Sequence, residues 1–281
     1  MDNYYTRLSN ALSQIKEVRI TDINQITELF IGGTLDDETL RYRTPYFYRG
    51  LQNPAHALLT TLQRICGIKR TGLEPVILRN FSKYAMQHDP NIAESIWRQM
   101  FLGQHHGLPT RLLDWTYSPL VALHFATSNS DPNNIGKSDC VLWRIDCRDI
   151  DSALPESYRS KLIRNKAHVF TAEMLQDCAD SLEEYDKEMK AANSIVLIEP
   201  PSIDQRIISQ YSYFTIVPSH IDCLEEYLAD FMPHTVRYII DKNLCWQIRD
   251  MLDQMNNNER ILFPGFDGLA TWLRRYYFVS Q

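Results

Sequence analysis

The sequence predicts a single α+β domain spanning residues 1–281, with short strands in a mixed or antiparallel central sheet flanked by helices. Short aromatic or β-branched segments alternate irregularly with longer segments whose apolar residues recur at helical spacing. The composition is 44% apolar, 11% aromatic and 23% charged, which is typical of a globular chain with ample apolar material for a core. No repeat, low-complexity linker or change in composition divides the chain.

The first half of the chain contains mostly helical patterns. Residues 1–40 read as an N-terminal helical region of two pieces, in which Leu8, Leu12, Ile15 and Val18 lie at helical spacing. An aromatic segment ending in glycine then predicts a short strand. Helical periodicity returns twice before the middle of the chain. The strand covers residues 46–50, and the two helical patterns cover residues 58–65 and 74–84.

A helix–strand–helix unit follows. The helix that starts near Asn91 should end at Gly107, because glycine favours helix C-termini and Pro109 cannot continue a helix. An extended segment over 110–115 is predicted next. Pro119 then fits the first turn of another helix, where its missing N–H costs nothing.

The second half alternates strands and helices. The alternating or β-branched segments predict strands, and the charged periodic segments predict helices. The predicted strands are 141–145, 194–198, 214–217 and 236–240, and the predicted helical regions are 154–190 with interruptions, 243–255 and 268–277.

Charge and cysteine usage limit the possible classes. The net charge of −6, without a long run of like charge, argues against a protein held on nucleic acid by bulk electrostatics. None of the six cysteines forms a C-x2-C pair, so reduced thiols are expected rather than a zinc site. No signal-peptide pattern opens the sequence, and no apolar stretch approaches the ~18 residues of a membrane span. We therefore expect a cytoplasmic protein without membrane partners or bound metal.

The most unusual segment is 104–126, which concentrates polar residues between two apolar helices. Charged residues that lie between apolar helices, as Arg111 and Asp114 do, are rarely buried without partners. One interpretation is a salt bridge between them that fixes the turn. The other is a polar cleft framed by a helix end, a strand and a helix N-terminus, where an anion is favoured. The polar residues are Gln104, His105, His106, Thr110, Arg111, Asp114, Trp115 and Thr116.

Arg49 and the pair Arg206 and Gln210 are further candidates. Arg49 ends the first predicted strand beside Gly50, where a guanidinium suits bidentate phosphate recognition; the alternative is a structural ion pair with a carboxylate such as Glu74. Arg206 and Gln210 lie four residues apart before a strand, which also fits ordinary capping. No Gly-rich phosphate loop, G-x-S-x-G elbow or H-E-x-x-H helix is present, which removes the commonest NTPase, hydrolase and metalloprotease classes.

These segments resemble the FRG-domain family. That family takes its name from an aromatic-Arg-Gly motif, in which this chain has Tyr48 in place of the usual Phe. The resemblance spans about residues 45–275. The matching segments are 47–50, 79–81, 104–126, 206–210 with 214–216, and 263–268.

The order of the motifs is also similar to that of ADP-ribosyltransferases, which implies a split-sheet core and NAD as a substrate. Arg49 resembles the arginine that ends the first core strand of those enzymes and holds NAD. Asp114 with the following helix resembles their second element. For their third element, a ribose-contacting Glu, the nearest residues are Gln210 and Glu199. A Gln in that role lacks the charge that stabilises an oxocarbenium-like transition state.

The resemblance assigns roles to the candidates. Arg49 and Arg111 would clamp the pyrophosphate, Trp115 and Tyr48 would stack on nicotinamide, and Gln210 or Asp114 would polarise the ribose. The implied catalytic residues are Arg49, Asp114 and Gln210. The implied NAD-binding residues are Tyr48, Arg49, Gly50, His106, Thr110, Arg111, Trp115, Thr116 and Arg206.

The expected function is NAD-dependent ADP-ribosylation of a macromolecule, either protein or nucleic acid. The expected setting is a bacterial toxin or anti-phage effector, with an antitoxin or regulatory protein as a further partner. One alternative is a non-catalytic module that binds a nucleotide or a protein. A second alternative is a nuclease or other hydrolase in which His105 or His106 acts with Asp114.

Overall fold

A computed structural model describes residues 2–202 and 205–279 as helices packed around one large sheet. Most helices are short, and none of those described has the length and apolar character needed to cross a membrane. The α-helices are α1 (Asp2–Gln14), α2 (Ile26–Ile31), α3 (Thr61–Cys66), α4 (Arg70–Ala85), α5 (Ile96–His105), α6 (Pro119–Thr127), α7 (Cys147–Ala153), α8 (Glu156–Asn165), α9 (Ala172–Gln176), α10 (Leu182–Ala192), α11 (Gln205–Ser209), α12 (Leu224–Phe231), α13 (Cys245–Gln254), α14 (Glu259–Leu262) and α15 (Phe266–Tyr276).

Seven strands form the main sheet, in the order β1-β9-β6-β4-β5-β8-β7. Strands β1 and β9 run parallel, and the other neighbouring pairs are antiparallel, so the predicted α+β class with a mixed sheet is confirmed. Two further strands make a small separate hairpin. The strands are β1 (Lys16–Ile20), β2 (Leu35–Asp36), β3 (Arg41–Tyr42), β4 (Tyr46–Leu51), β5 (Leu112–Thr116), β6 (Cys140–Asp146), β7 (Val196–Ile198), β8 (Ser212–Ile216) and β9 (Val236–Ile240).

The N-terminal region corrects the prediction of two helical pieces. The first helix ends at Gln14, and the following residues form β1, whose Val18 pairs with Tyr238 of β9. Beyond Ile15, only Val18 continues the helical periodicity. Pairing with the neighbouring strand β9 outweighs so weak a helical signal. The second piece is a helix, α2, which a 3₁₀ turn precedes; Asp22 caps that turn through a capping box with Gln25.

The helices divide the apolar core into three clusters. One cluster lies between the sheet and α7 and α12, and includes Phe47, Trp115 and Trp143. A second joins β5, β7 and β8 to α4, α5 and α8–α10. The third packs α2, α6 and α13 on β4, β6 and β9, and includes Tyr48 and Ala122. Strands β4 and β5 therefore lie between differently covered parts of the sheet.

The sheet is nearly split between β4 and β5. Strand β4 pairs with β6 along all six of its residues, but it pairs with β5 only through Tyr48 and Thr116. Strand β5 keeps a full ladder with β8 on its other side. Because the ladder opens after a single pair, the two strands diverge and leave backbone groups free to meet side chains or a ligand. This opening positions the site described next.

Candidate binding cleft

A cleft of about 350 Å³ lies where β4 and β5 separate. It joins residues that are far apart in sequence, from β4, β5, α6 and the α11–β8 connection. Eight of the residues singled out from the sequence line it. They are Tyr48, Arg49, Gly50, Asp114, Trp115, Thr116, Arg206 and Gln210.

Arg49 is the central cation of the cleft. Its Nη1 atom donates a hydrogen bond to the carbonyl oxygen of Asp114 at 2.6 Å and lies 3.5 Å from the carboxylate oxygen Oδ2 of Asp114. The buried Nε atom has no hydrogen-bond partner. Burial lowers the pKa of Arg49, the Asp114 carboxylate opposes that shift, and nearby Arg64 adds to it. A guanidinium so poorly compensated is suited to receive an anion.

Gly50 allows α6 to lie directly against β4. A Cβ atom at position 50 would lie 1.9 Å from the carbonyl oxygen of Ala122 and 2.6 Å from the backbone nitrogen of Ala126. Both contacts are with helix backbone, which cannot move aside as a flexible side chain can. The helix itself begins as predicted, with Pro119 in its first turn and the Ser118 hydroxyl accepting from the Val121 N–H. The Arg-Gly pair therefore fixes one wall of the cleft.

Asp114 lies next to Arg49 in the cleft. Its side chain is 56% exposed, and the carboxylate accepts long hydrogen bonds of 3.3 and 3.4 Å from Nε2 of Gln104. It is the one carboxylate among the described residues that line the cleft. The cleft therefore contains a half-exposed carboxylate paired at 3.5 Å with a largely buried guanidinium.

The α11–β8 connection forms the facing wall. Gln210 is buried; its backbone carbonyl accepts a hydrogen bond from the Thr116 hydroxyl at 2.8 Å, and its Nε2 atom donates to the carbonyl of Leu262 at 2.9 Å. Arg206 lies over the ring of Phe263, with its guanidinium carbon 5.1 Å from the ring centre. The wall is therefore held in place by α14 and the residue that follows it.

The aromatic ring available for stacking in the cleft is not one of the two predicted rings. Tyr48 is buried and its hydroxyl donates to the carbonyl of Leu29, while Trp115 is buried and its Nε1 atom donates to the Thr215 hydroxyl. Neither ring has a free face for stacking on a ligand. Phe125, on α6, is half-buried and lines the cleft. The sequence analysis missed Phe125 because a helical aromatic next to apolar residues is typical of a core position.

Two basic residues near the cleft were not predicted from the sequence. His56 is exposed and lines the cleft, and Arg64 is exposed and near enough to Arg49 to affect its pKa. His56 lies in the segment between β4 and α3, and Arg64 lies within α3. In the sequence, neither the irregular segment around His56 nor the helical pattern around Arg64 shows which side chains return to the strand.

Three predicted NAD-binding residues lie outside the cleft. Arg111 is 4% exposed and is held by two carboxylates, because its guanidinium donates to Glu74 and, at 2.6 Å, to Asp186. The proposed Arg111–Asp114 salt bridge and the Arg49–Glu74 pair are therefore both wrong. Thr110 is buried, and its hydroxyl donates to Gln104.

The two histidines lie at the C-terminal end of α5. His106 lines a separate groove of about 1020 Å³ between α4 and α5, and its ring contacts that of His105. Asp114 instead has Arg49 and Gln104 as partners. His106 lines that groove and not the cleft that contains Asp114. No group of three or more potential metal ligands occurs within residues 2–202 and 205–279.

Glu199, the other candidate for contact with a ribose, also lies outside the cleft. It follows the last β7–β8 pair, which joins Ile198 to Phe214, so its neighbour across the ladder is Tyr213. Burial raises the pKa of Glu199, and exposed Glu173 adds to the shift. Of the two candidates, only Gln210 lines the cleft.

Comparison with protein families finds one match, to the FRG domain, over residues 44–135. This segment contains β4, β5 and α3–α6, and with them Arg49, Gly50, Asp114 and Thr116. The walls formed by α11, α14 and β8 lie outside it. No curated protein and no solved structure matches the chain.

Proposed function

Because the chain contains an FRG domain whose Arg-Gly strand and Asp114 strand frame one cleft, we propose that this cleft binds NAD and that the protein transfers ADP-ribose to a macromolecule. The observation that carries the proposal is the convergence of Arg49, Asp114 and Gln210 on that cleft. These three residues are far apart in the sequence. The fold brings them together at the gap between β4 and β5.

The basic residues of the cleft suit the diphosphate of NAD. Arg49 offers a buried, unpartnered Nε donor, and a guanidinium binds phosphate oxygens through paired hydrogen bonds. Arg206 and His56 line the same cleft, and Arg64 lies near Arg49. An anion would relieve the unfavourable burial of Arg49, which a neutral ligand would not.

The Asp114 carboxylate and the Phe125 ring suit the ribose and the nicotinamide. Cleavage of the glycosidic bond leaves positive charge on the ribose, and a fixed carboxylate lowers the free energy of that transition state. Asp114 supplies this carboxylate. Gln210 forms part of the facing wall, but its Nε2 atom already donates a hydrogen bond to the carbonyl oxygen of Leu262. We therefore assign Gln210 a positioning role. Phe125 provides the ring against which a planar nicotinamide packs.

The cleft has room to extend. A second cavity of about 240 Å³ shares Gln52, His56 and Ser128 with it. Dinucleotide sites are elongated, since diphosphate joins two nucleosides, and pockets of 300–1,000 Å³ are usual for ligands of this size. We assign the two halves of NAD to these two cavities, which share three lining residues.

The biological setting of the proposal follows from the family resemblance. A compact ADP-ribosyltransferase of this kind acts as a bacterial toxin or an anti-phage effector on cytoplasmic macromolecules. Such an effector requires a neutralising partner, either an antitoxin or a regulatory protein.

Labelled NAD tests the proposal directly. Purified protein is incubated with labelled NAD and cell lysate, beside Arg49→Ala and the matched control Arg41→Ala in the exposed β2–β3 hairpin. We expect label on protein or nucleic acid with the unaltered protein and with Arg41→Ala, and none with Arg49→Ala. Absence of both NAD consumption and NAD binding in the unaltered protein would refute the proposal.

One observation favours a second function, a non-catalytic nucleotide-binding module. Gln210 is neutral and buried against Leu262, so Asp114 alone supplies negative charge to the cleft among the described residues. A module of this kind would bind NAD in a calorimetric titration without consuming it. Asp114→Asn separates the two functions, because it should abolish transfer by an enzyme but leave the affinity of a binding module nearly unchanged.

A further inference from the structure

Three tyrosines form a cluster at the edge of the cleft, at the end of β5 and the start of β8. The ring of Tyr117 lies 4.9 Å from that of Tyr211 and 5.9 Å from that of Tyr213, measured between ring centres. Tyr117 is 40% exposed and Tyr211 43% exposed. Tyr213 packs edge-on against Phe47, which anchors the cluster to the core. We call these three residues the tyrosine platform.

The backbone of Tyr211 is in a conformation that a bulky residue rarely adopts. Its φ angle is +50°, in the left-handed region, just after α11. Helices commonly place glycine at this position because glycine has no Cβ to clash. A tyrosine there carries backbone strain, and strained residues cluster at functional sites. The ring therefore has a use that glycine would not serve.

The platform borders the cleft without belonging to it. Thr116, Gln210 and Ser212 line the cleft and are the chain neighbours of Tyr117 and Tyr211. A molecule resting on the exposed rings would consequently lie next to the group bound in the cleft. A second reactant of a transfer reaction needs this position.

The charge beside the platform is negative. Glu199 follows β7 opposite Tyr213, and exposed Glu173 lies near enough to Glu199 to raise its pKa. Burial and the Glu199 carboxylate together raise the pKa of Tyr213. Among the residues that the structure describes, no cation opposes the raised pKa of Tyr117 or Tyr213. A phosphate backbone requires cations next to the rings, so this environment disfavours nucleic acid.

We propose that the tyrosine platform and Glu199 bind an arginine or lysine side chain of a protein acceptor. Tyrosine faces attract a guanidinium or ammonium group through cation–π interactions, and Glu199 supplies a countercharge at the same edge. As the acceptor site for the transfer proposed above, the platform rests on that function. As a binding site for a cationic polypeptide, it stands by itself.

Binding of a defined peptide tests the proposal. The probe is a fluorescent twelve-residue peptide of alternating arginine and glycine, and its matched control has citrulline, which is neutral and of the same shape, in place of arginine. Anisotropy titrations use the unaltered protein, Tyr211→Gly, Tyr117→Leu and Glu199→Gln. Glu38→Gln removes the same charge from the β2–β3 hairpin turn and controls for net charge.

We expect Tyr211→Gly and Tyr117→Leu each to weaken binding of the arginine peptide about fivefold, as loss of one cation–π contact implies. Glu199→Gln should weaken it by a similar factor. Glu38→Gln should bind as the unaltered protein does, and the citrulline peptide should bind weakly throughout. Tyr211→Gly relieves the strained backbone, so urea unfolding should show a fold at least as stable as before. That result would separate loss of the ring from loss of the fold.

Equal binding of the arginine and citrulline peptides would overturn the proposal, as would unchanged affinity in Tyr211→Gly. Preference for a single-stranded oligonucleotide over the arginine peptide would overturn it as well. A second measurement follows transfer of label from NAD to the bound peptide. Specific peptide binding by a protein that does not consume NAD would count against ADP-ribosyl transfer. It would still establish the platform as a binding site for a cationic peptide.

Discussion

Arg49 and Arg111 are both arginines with largely buried side chains, but their surroundings are opposite. Arg111 donates to the carboxylates of Glu74 and Asp186, and these two charges raise its pKa against the effect of burial. Arg49 has one carbonyl partner, one carboxylate oxygen of Asp114 at 3.5 Å and an unpaired Nε, and burial lowers its pKa although the Asp114 carboxylate opposes that shift. One guanidinium is fully compensated by the protein, and the other is not.

The difference separates structural from binding arginines. The charge of a guanidinium that contacts two carboxylates is compensated within the protein, and its loss would strand those carboxylates in the core. A guanidinium that the protein leaves partly unsatisfied costs stability in the free state and gains partners when an anion arrives. Arg111 joins helices to the sheet, whereas Arg49 faces the opening between β4 and β5.

The largest expected effect comes from removing the compensated arginine. Arg111→Met leaves Glu74 and Asp186 without their cation, and Glu74 is only 1% exposed. Breaking a buried pair in this way costs about 3–5 kcal/mol. We expect the free energy of unfolding to fall by that amount in urea titrations followed by circular dichroism.

The matched variant is Arg49→Met, the same substitution at the uncompensated site. Because burial of Arg49 is unfavourable, its removal should change the free energy of unfolding by less than about 1 kcal/mol. Similar losses in both variants would mean that Arg49 also holds the fold together, and the distinction between the two arginines would fail.

The affinity for NAD tests the binding role of Arg49 directly. Arg49→Lys keeps the charge but loses the planar fork and the Nε donor. Loss of a charged hydrogen-bond pair with phosphate costs about 2 kcal/mol, so NAD affinity measured by calorimetry should fall about thirtyfold. The control Arg41→Lys, in the β2–β3 hairpin, should bind normally. Unchanged affinity in Arg49→Lys would assign the anion to another group.

The sequence was sufficient to predict the strands and helices next to Arg49 but not the partners of the arginines. Local patterns predicted the strand at 46–50 and the helix that begins with Pro119, because aromatic and proline signals act within a few residues. Glu74 lies 37 residues before Arg111 and Asp186 lies 75 after it. No local signal encodes pairs so distant, and for that reason Arg111 and Arg49 looked alike.

Burial also decided which predicted rings were usable. Trp115 and Tyr48 were expected to stack on nicotinamide, yet both donate hydrogen bonds within the core. Alternation along a strand shows that neighbouring side chains face opposite ways, but not which face a helix will cover. The position of Phe125 depends on the docking of α6 on Gly50, which is a tertiary contact.

Arg249 is an intermediate case, with one charged and one neutral partner. Its guanidinium donates to Glu259 at 2.6 Å and to Nδ1 of His124 at 2.9 Å. Burial and the charge of Arg249 lower the pKa of His124 from 6.5 to about 3. His124 is therefore neutral in the folded protein at neutral pH, with Nδ1 as an acceptor.

This neutrality makes stability depend on pH. Between pH 6.5 and about 3, the unfolded chain binds a proton on His124 that the folded protein does not bind. Stability therefore falls as pH decreases through this window, by about 1.4 kcal/mol per pH unit from this group. His124→Asn keeps an acceptor near Nδ1 but cannot titrate, so its unfolding free energy should fall less steeply between pH 6.5 and 5. Parallel slopes for both proteins would contradict a neutral His124.

Arg206 completes the series and should show the smallest effect. It is exposed, and its guanidinium rests on the Phe263 ring at the cleft wall. Exposed charges contribute about 0.2–1 kcal/mol and are screened by salt. Arg206→Gln should therefore weaken NAD binding about threefold at low ionic strength, and the difference should nearly vanish at 0.5 M salt, whereas the defect of Arg49→Lys should persist. A loss in Arg206→Gln that is equally large at high salt would instead place Arg206 in direct, desolvated contact with the diphosphate.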